Sequence, residues 1–304
     1  MKQEIPAMKP NTEITQEMLS NEDKFTDPFF KRFKLRHADA PLQLNGQVAK
    51  DYLFPTCYGD VTCAQAIFLC DYKKVKALMP HSKVKPVKMT MGRAVVVFSN
   101  YIYTNVMNVK PYNEIAMTVP VMVDPVVNVP VLPMLMDKFF KEFGYYVFSM
   151  PVTSLENQLR GVKIWGLPKV VQEIDIKEQD GECVTTACDE DGSKYLTIRV
   201  PTAGKPEDFD VAANLYSRRG SEFFQSATCF KATFNVNKNM EVLLRKNAAP
   251  DRDYITIHGA GPAASMLKDL DIEPMPLQTR YATGMNACFD LPNKKYKSPI
   301  TFRD

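Results

Sequence analysis

Histidine and paired cysteines are scarce in this chain, which limits the kinds of metal site that it can build. Its 304 residues include three histidines, and His37, His81 and His258 lie in a polar segment, a loop rich in proline and lysine, and a strand end. A histidine metal cluster is therefore not expected. Seven cysteines make an odd number without any C-x-x-C pair, which argues against a zinc site or a disulfide framework. We expect no metal, and free thiols in a reducing cytoplasm.

Phosphate-binding loops and serine elbows are also missing. The sequence contains no Gly-x-Ser-x-Gly elbow. Two glycines in His258-Gly259-Ala260-Gly261-Pro262 precede a predicted helix, but this stretch has neither a third glycine nor a Gly-Lys-Ser/Thr ending. A strand-to-helix turn is the better interpretation, and we expect no cofactor.

The chain has neither a strong net charge nor a long apolar run. It carries 38 basic and 35 acidic residues, a net charge of +3, and no long basic stripe, which argues against nucleic-acid binding. The most apolar segment, residues 118–136, is broken by Asp124, Asn128 and several prolines, so no transmembrane helix is expected. The first six residues, Met1 to Pro6, lack the apolar core of a signal peptide. We therefore expect a cytoplasmic protein without a membrane or nucleic-acid partner.

Strand-like segments are what the chain has in abundance. Residues 1–45 are polar and lack strand alternation, so we interpret them as an N-terminal extension or arm, with a partly disordered terminus as the alternative. Residues 46–304 are interpreted as a single domain. Hydrophobic patterning predicts strands at 64–69, 94–98, 114–123, 145–150, 184–187, 195–200, 228–236, 242–245, 254–257 and 278–291. It predicts short helices at 71–79, 134–143, 154–160 and from Pro262 onward. Many strands, few short helices and no regular alternation between them predict an α+β domain with a largely antiparallel sheet.

A lysine among apolar neighbours is the most unusual feature of the sequence. Lys169 follows Leu167-Pro168 and leads into Val170 and Val171. A buried lysine loses its proton more easily, and a neutral amine can attack a carbonyl group. The alternative is a lysine whose stem packs while its ammonium group reaches water. Glu114, at the start of an apolar strand, is either an acid–base partner for such an amine or a solvated strand-end residue.

The segment around this lysine resembles a motif of the acetoacetate decarboxylase family. In that family a Schiff-base lysine follows the proline of a Gly-Arg-Glu-Ile-Trp-Gly-Phe/Tyr-Pro-Lys-like segment. The matching residues here are Gly161-Val162-Lys163-Ile164-Trp165-Gly166-Leu167-Pro168-Lys169. The resemblance continues in the same order through Tyr112-Asn113-Glu114, the strand at 146–152 and the tail at 257–292. It implies a cone- or barrel-like antiparallel sheet with short flanking helices, in a chain that forms homo-oligomers.

The resemblance also implies roles for individual residues. Lys169 takes the place of the nucleophile, and Glu114 that of the active-site glutamate. Residues expected to contact a small keto-acid substrate are Trp165, Leu167, Met150 and Tyr112. The implied reaction is decarboxylation of acetoacetate or a related β-keto acid through an imine on the lysine. Aldol condensation or dehydration through the same imine, and a non-catalytic barrel that binds a small ligand, remain alternatives.

Several charged residues of the family are replaced in this chain. Val170 stands where family decarboxylases carry a second lysine, and Ser99 falls near the position of a second carboxylate. Residues 57–72 contain no arginine to match that of the family. We therefore expect burial among apolar neighbours to lower the pKa of Lys169. Lys163, an even number of residues away, is either a source of positive charge on the same face or an exposed lysine.

Overall fold

The computed structural model of the chain describes residues 9–125, 128–135 and 139–293. Its strands are β1 (Arg36–His37), β2 (Leu42–Gln43), β3 (Ala49–Lys50), β4 (Leu53–Phe54), β5 (Thr56–Asp71), β6 (Val84–Pro86), β7 (Arg93–Tyr103), β8 (Asn105–Val106), β9 (Tyr112–Val123), β10 (Phe143–Val152), β11 (Lys169–Val171), β12 (Ile174–Gln179), β13 (Glu182–Cys188), β14 (Lys194–Pro201), β15 (Lys205–Arg219), β16 (Glu222–Lys238), β17 (Ile255–Ile257) and β18 (Gln278–Pro292). The α-helices are α1 (Tyr72–Ala77), α2 (Leu132–Leu135), α3 (Leu155–Trp165) and α4 (Pro262–Lys268), with 3-10 turns at Glu22–Lys24, Phe30–Arg32, Thr90–Gly92 and Met240–Leu243. Within these ranges, each helix is too short or too polar to cross a membrane.

Seven strands in the described part of the chain close into a barrel. Their order is β10-β15-β16-β18-β5-β7-β9, and β9 pairs with β10 to complete the circle. Neighbours around the barrel are antiparallel except for β10 and β15, which run parallel. The predicted α+β domain, with a largely antiparallel, barrel-like sheet and short flanking helices, is confirmed.

The barrel wall is buried on both faces along three of its strands. On β5, Cys63, Gln65 and Ile67 face the lumen, whereas the alternate residues Ala64 and Ala66 belong to an outer core. A second antiparallel sheet, in the order β12-β13-β14-β17, contributes apolar side chains to that outer core together with α4. Because both faces are covered, such strands appear in the sequence as nearly continuous apolar runs. This explains why β5, β7 and β9 could be predicted.

Strand β10 positions the segment that contains Lys169. The first part of β10 pairs with β15, where Gly144 lies opposite Asn214, and its last residues pair in parallel with β11. In that second pairing, Met150 lies opposite Lys169. Between β10 and β11 the chain forms α3, so that Lys169, the first residue of β11, lies next to both β10 and α3.

Two predicted elements differ from the structure. Of the helix predicted at 134–143, residues 134–135 form the end of α2, residues 136–138 lie outside the described residues, and residues 140–143 are not helical. Phe143 begins β10 and faces the lumen, while the side chain of Phe139 is 77% exposed, so their helical spacing does not mark one buried face. The strand predicted at 242–245 is also wrong, because a 3-10 turn occupies Met240–Leu243 with Val242 buried.

The described part of the N-terminal segment packs along the barrel. Phe25, Phe29 and Phe30 are buried in a cluster with Cys57 and Cys288. The Asp27 side chain accepts a hydrogen bond from the Phe29 amide at 2.7 Å, next to the 3-10 turn. Asp27-Pro28 before Phe29 predicts a short amphipathic helix here, and the structure has only the 3-10 turn. The division into an arm at 1–45 and a domain at 46–304 stays a prediction.

Candidate active site

Helix α3 and the turn after it place Lys169 in the barrel. The Ser154 hydroxyl caps the helix by accepting a hydrogen bond from the Asn157 amide at 3.2 Å. The helix ends at Gly166, whose φ of 63° is the left-handed conformation that glycine adopts without strain. The helix predicted at 154–160 is too short, because the observed helix continues through Gly161 to Trp165.

Gly161 allows the stem of Lys169 to cross α3. A Cβ atom at position 161 would lie 2.7 Å from Cε and 3.1 Å from Cγ of Lys169, and closer still to Cδ. Carbon atoms pack best at about 3.5–4.0 Å, so any side chain larger than hydrogen would push the lysine away. This close contact outweighs the low helix propensity of glycine, which costs about 1 kcal/mol in a helix interior.

The Lys169 amine is bound by two buried polar side chains. Its Nζ lies 2.6 Å from Oε2 of Glu114 and also donates to Oδ1 of Asn157. The side chains of Lys169 and Glu114 are only 5% and 6% exposed. The ring of Tyr112 lies beside the amine, with its centroid 5.7 Å from Nζ. The ammonium group therefore does not extend to bulk solvent.

The surroundings of Lys169 favour loss of its proton. Burial lowers the pKa of Lys169 below its ordinary value, because an ammonium group loses its hydration there. The negative charge of Glu114 and its hydrogen bond oppose this effect and raise the pKa of Lys169. The positive charge of Arg160 acts in the same direction as burial and lowers the pKa further. Desolvation is the largest of these contributions.

Arg160 is a functional candidate that the sequence reasoning missed. Its side chain is completely buried, and Nη2 donates to the Thr56 hydroxyl at 3.0 Å. The guanidinium carbon lies 4.2 Å from the ring centroid of Tyr52. Among the described residues, Nε and Nη1 of Arg160 have no hydrogen-bond partner. Helical spacing is the sequence pattern that could have identified Arg160, because Asn157, Arg160 and Gly161 share one face of α3.

Other sequence-based candidates for charge near the amine lie elsewhere. Lys163 points away from Lys169, and its Nζ donates to the carbonyls of Gln43 at 2.7 Å and Leu44 at 2.9 Å. The prediction that Lys163 supplies charge from the same face is therefore wrong. At position 99, the serine hydroxyl accepts a hydrogen bond from Gln65 at 2.9 Å inside the lumen.

The lumen of the barrel contains a cavity of about 590 Å³. Lys169 and Glu114 line it together with Trp165, Leu167 and Met150, which are three of the residues expected to contact substrate. Tyr112, the fourth, is not part of the cavity wall.

Tyr112 instead packs behind the amine. Its ring centroid lies 4.9 Å from that of Tyr103, which does line the cavity. Trp165 is fixed by two contacts, since its Nε1 donates to the Asp290 carbonyl at 2.7 Å and its ring stacks on Phe289. Within the residues that the structure describes, no three His, Cys, Asp or Glu side chains converge as in a metal site.

Comparisons with known proteins identify the family. A family model described as acetoacetate decarboxylase matches residues 39–233. A search of curated proteins finds no match. The crystal structure of acetoacetate decarboxylase from Legionella pneumophila subsp. pneumophila str. Philadelphia 1 is similar in fold, with a TM-score of 0.52, 13% identity, and coverage of 84% of this chain and 91% of that one. A second acetoacetate decarboxylase structure has a TM-score of 0.50 and 13% identity, covering 78% of this chain and 87% of that one. This chain belongs to the acetoacetate decarboxylase family.

Proposed function

We propose that this protein is a Schiff-base-forming enzyme that decarboxylates a β-keto acid through an imine on Lys169. The observation that carries the proposal is the buried pair of Lys169 and Glu114, with Nζ and Oε2 2.6 Å apart at the wall of one cavity. Imine formation needs a neutral amine, a group that moves protons and a site shielded from water. The geometry supports each of these requirements.

The reaction begins when the neutral amine attacks the ketone carbon. Proton transfers and the loss of water turn the adduct into a cationic imine, and Glu114 lies within hydrogen-bond reach of the nitrogen for these transfers. The bond to the carboxyl carbon then breaks, carbon dioxide leaves, and its electron pair moves through the imine to give an enamine. Protonation at carbon and hydrolysis release the ketone and restore Lys169.

The cavity wall favours loss of the carboxylate charge. Trp165, Leu167 and Met150 present apolar surface beside the amine. A carboxylate held against such surface has lost much of its hydration, whereas the carbon dioxide that it becomes is neutral. The same surface lowers the pKa of Lys169 by excluding water, so one environment supports both steps.

A second candidate function is aldol condensation or dehydration of a keto acid through the same imine. The observation that favours it is the Gln65–Ser99 hydrogen bond in the lumen, at 2.9 Å, which offers neutral polar groups rather than a carboxylate. A hydroxyl and an amide can hold a hydroxyl or carbonyl group of a larger substrate. The two functions differ in whether carbon dioxide is released.

The test combines carbon dioxide release with borohydride trapping over a panel of keto acids. We expect a reduced adduct and carbon dioxide release with at least one β-keto acid, and the loss of both in Lys169→Ala. Lys163→Ala is the matched control, because this lysine lies in the same motif but binds backbone carbonyls of the N-terminal segment. Adducts without carbon dioxide would support the second candidate, and no adduct with any keto acid would favour a ligand-binding barrel.

A further inference from the structure

A second cation lines the cavity that contains Lys169. Arg280, on β18, faces the lumen. Arg280 lies opposite Gln65 on β5, and Gln65 lies opposite Ser99 on β7. These three residues form one row of side chains across the sheet, and the next row on the same face contains Tyr101 and Glu114. Because same-face neighbours on a strand are about 7 Å apart, and β18 is three strands from β9, Arg280 lies on the order of 10 Å from the Lys169 end of the lumen.

Neutral groups hold the Arg280 side chain in place. Its Nε and Nη2 donate to Oε1 of Gln278 at 2.9 and 2.6 Å. The guanidinium carbon lies 4.7 Å from the ring centroid of Phe209. Hydrogen bonding along one edge and stacking on one face fix the plane of the guanidinium group, and leave Nη1 without a bond among the described residues.

The charge of Arg280 is not neutralised by a contacting acid. No carboxylate in the described part of the chain forms an ion pair with it. Glu207, which lines the same cavity, instead accepts hydrogen bonds from Lys238 at 2.9 and 2.8 Å. Burial lowers the pKa of Arg280, and this effect exceeds the opposing influence of Tyr145, Cys63 and Glu207. An arginine remains protonated in proteins, so a positive charge persists in this part of the lumen.

We propose that Arg280 binds a second anionic group of the substrate, so that the preferred substrates are oxo acids carrying a further carboxylate at the far end of the chain. This inference rests on the proposed imine chemistry at Lys169. The planar guanidinium group suits a carboxylate, which it can hold through parallel hydrogen bonds. The carboxylate that leaves as carbon dioxide must lose its charge, so it is not the one that Arg280 holds.

The size of the cavity agrees with a longer substrate. Its volume of about 590 Å³ lies within the range of sites that enclose drug-sized ligands. Acetoacetate, with four carbons, would leave most of this space empty. A longer chain that reaches from Lys169 to Arg280 would instead cover more of the apolar cavity wall, which includes Val211, Leu215 and Phe230.

The first test compares 3-oxo diacids with 3-oxo monoacids of equal length, over chains of about six to twelve carbons. We expect borohydride trapping on Lys169 to favour the best diacid by about 30-fold or more, as for a buried charge-assisted contact. Arg280→Met should abolish this preference while retaining trapping of monoacids, and Arg280→Lys should restore part of it. Lys231→Met, on the exposed outer face of β16, is the matched control and should keep the full preference.

A second test does not depend on imine formation. Trp165 is the chain's only tryptophan and lines the cavity, so its fluorescence reports ligand binding. We expect octanoate to bind more tightly than the neutral octanamide of equal length, and Arg280→Met to remove the difference. Equal binding in both proteins, or a trapping preference that survives Arg280→Met, would overturn the inference. Absence of adducts with every acid would reject the proposed function, while tighter binding of the carboxylate than of the amide that depends on Arg280 would still support the anion site.

Discussion

Replacing Gly161 with alanine tests whether Lys169 must cross α3 to be reactive. The added methyl carbon would lie 2.7 Å from Cε of Lys169, whereas carbon atoms pack best about 3.5–4.0 Å apart, so the stem must retreat by roughly 1 Å. A displacement of this size at a reacting group can cost about 100-fold in rate. We therefore expect kcat/KM to fall by about 100-fold, a loss of about 2.7 kcal/mol in transition-state stabilisation.

The stability of this variant should change much less than its activity. Alanine gains up to about 1 kcal/mol over glycine in a helix interior, which offsets part of an overpacking cost of about 1–3 kcal/mol. Thermal unfolding followed by circular dichroism measures this, alongside the rate of carbon dioxide release or trapping. Gly46→Ala is the matched control, because nothing lies within 4 Å of the added carbon. Full activity in Gly161→Ala would refute the argument that the lysine stem needs this crossing.

Three further predictions concern charges in and around the site. Glu114→Gln should lower the pKa of Lys169 further, because the carboxylate opposes the effect of burial, yet slow turnover by about 10²–10⁴-fold through lost proton transfer. The pH dependence of Lys169 acylation reports the pKa of the amine, whereas kcat reports turnover, so the two measurements separate the effect on the pKa from the lost proton transfer. Arg160→Met should raise the pKa of Lys169, because the positive charge of Arg160 lowers it. The amine then stays protonated up to a higher pH, so the acid limb of the kcat/KM profile moves to higher pH. An acid limb that does not move would contradict a role for the charge of Arg160. Lys50→Met leaves Glu156 buried without its cation and should reduce the free energy of unfolding by about 3–5 kcal/mol in urea titrations. A loss below about 1 kcal/mol would instead match an exposed ion pair.

The strands that could be predicted from the sequence are those whose environment is uniform. β5, β7 and β9 are covered on both faces and appear as apolar runs. β15 is not among the predicted strands. Its lumen-facing residues, such as Phe209 and Leu215, keep a period of two, but the alternating acidic residues Asp208 and Asp210 give the segment a polar composition. Composition concealed a pattern that alternation would have revealed.

The residues of the candidate site also differ in how far the sequence could predict them. Lys169 and Glu114 could be predicted because the order of their motifs matches a family, and the structure brings the two side chains into contact. The helix predicted at 154–160 stops before Gly161, because the contact that requires a glycine inside α3 comes from Lys169, which lies on β11. Arg160 could have been found from its helical spacing to Asn157 and Gly161, whereas Arg280 faces the lumen through strand register, which local patterns in the sequence do not encode.

The most direct test of the central claim is to locate the reduced imine on the chain. The protein is treated with borohydride in the presence of a β-keto acid, and its peptides are mapped by mass spectrometry. We predict one adduct, on the peptide that contains Lys169, with the mass of the reduced imine of the ketone or keto acid, and no adduct in Lys169→Met. An adduct on another lysine, or unchanged labelling in Lys169→Met, would contradict the account.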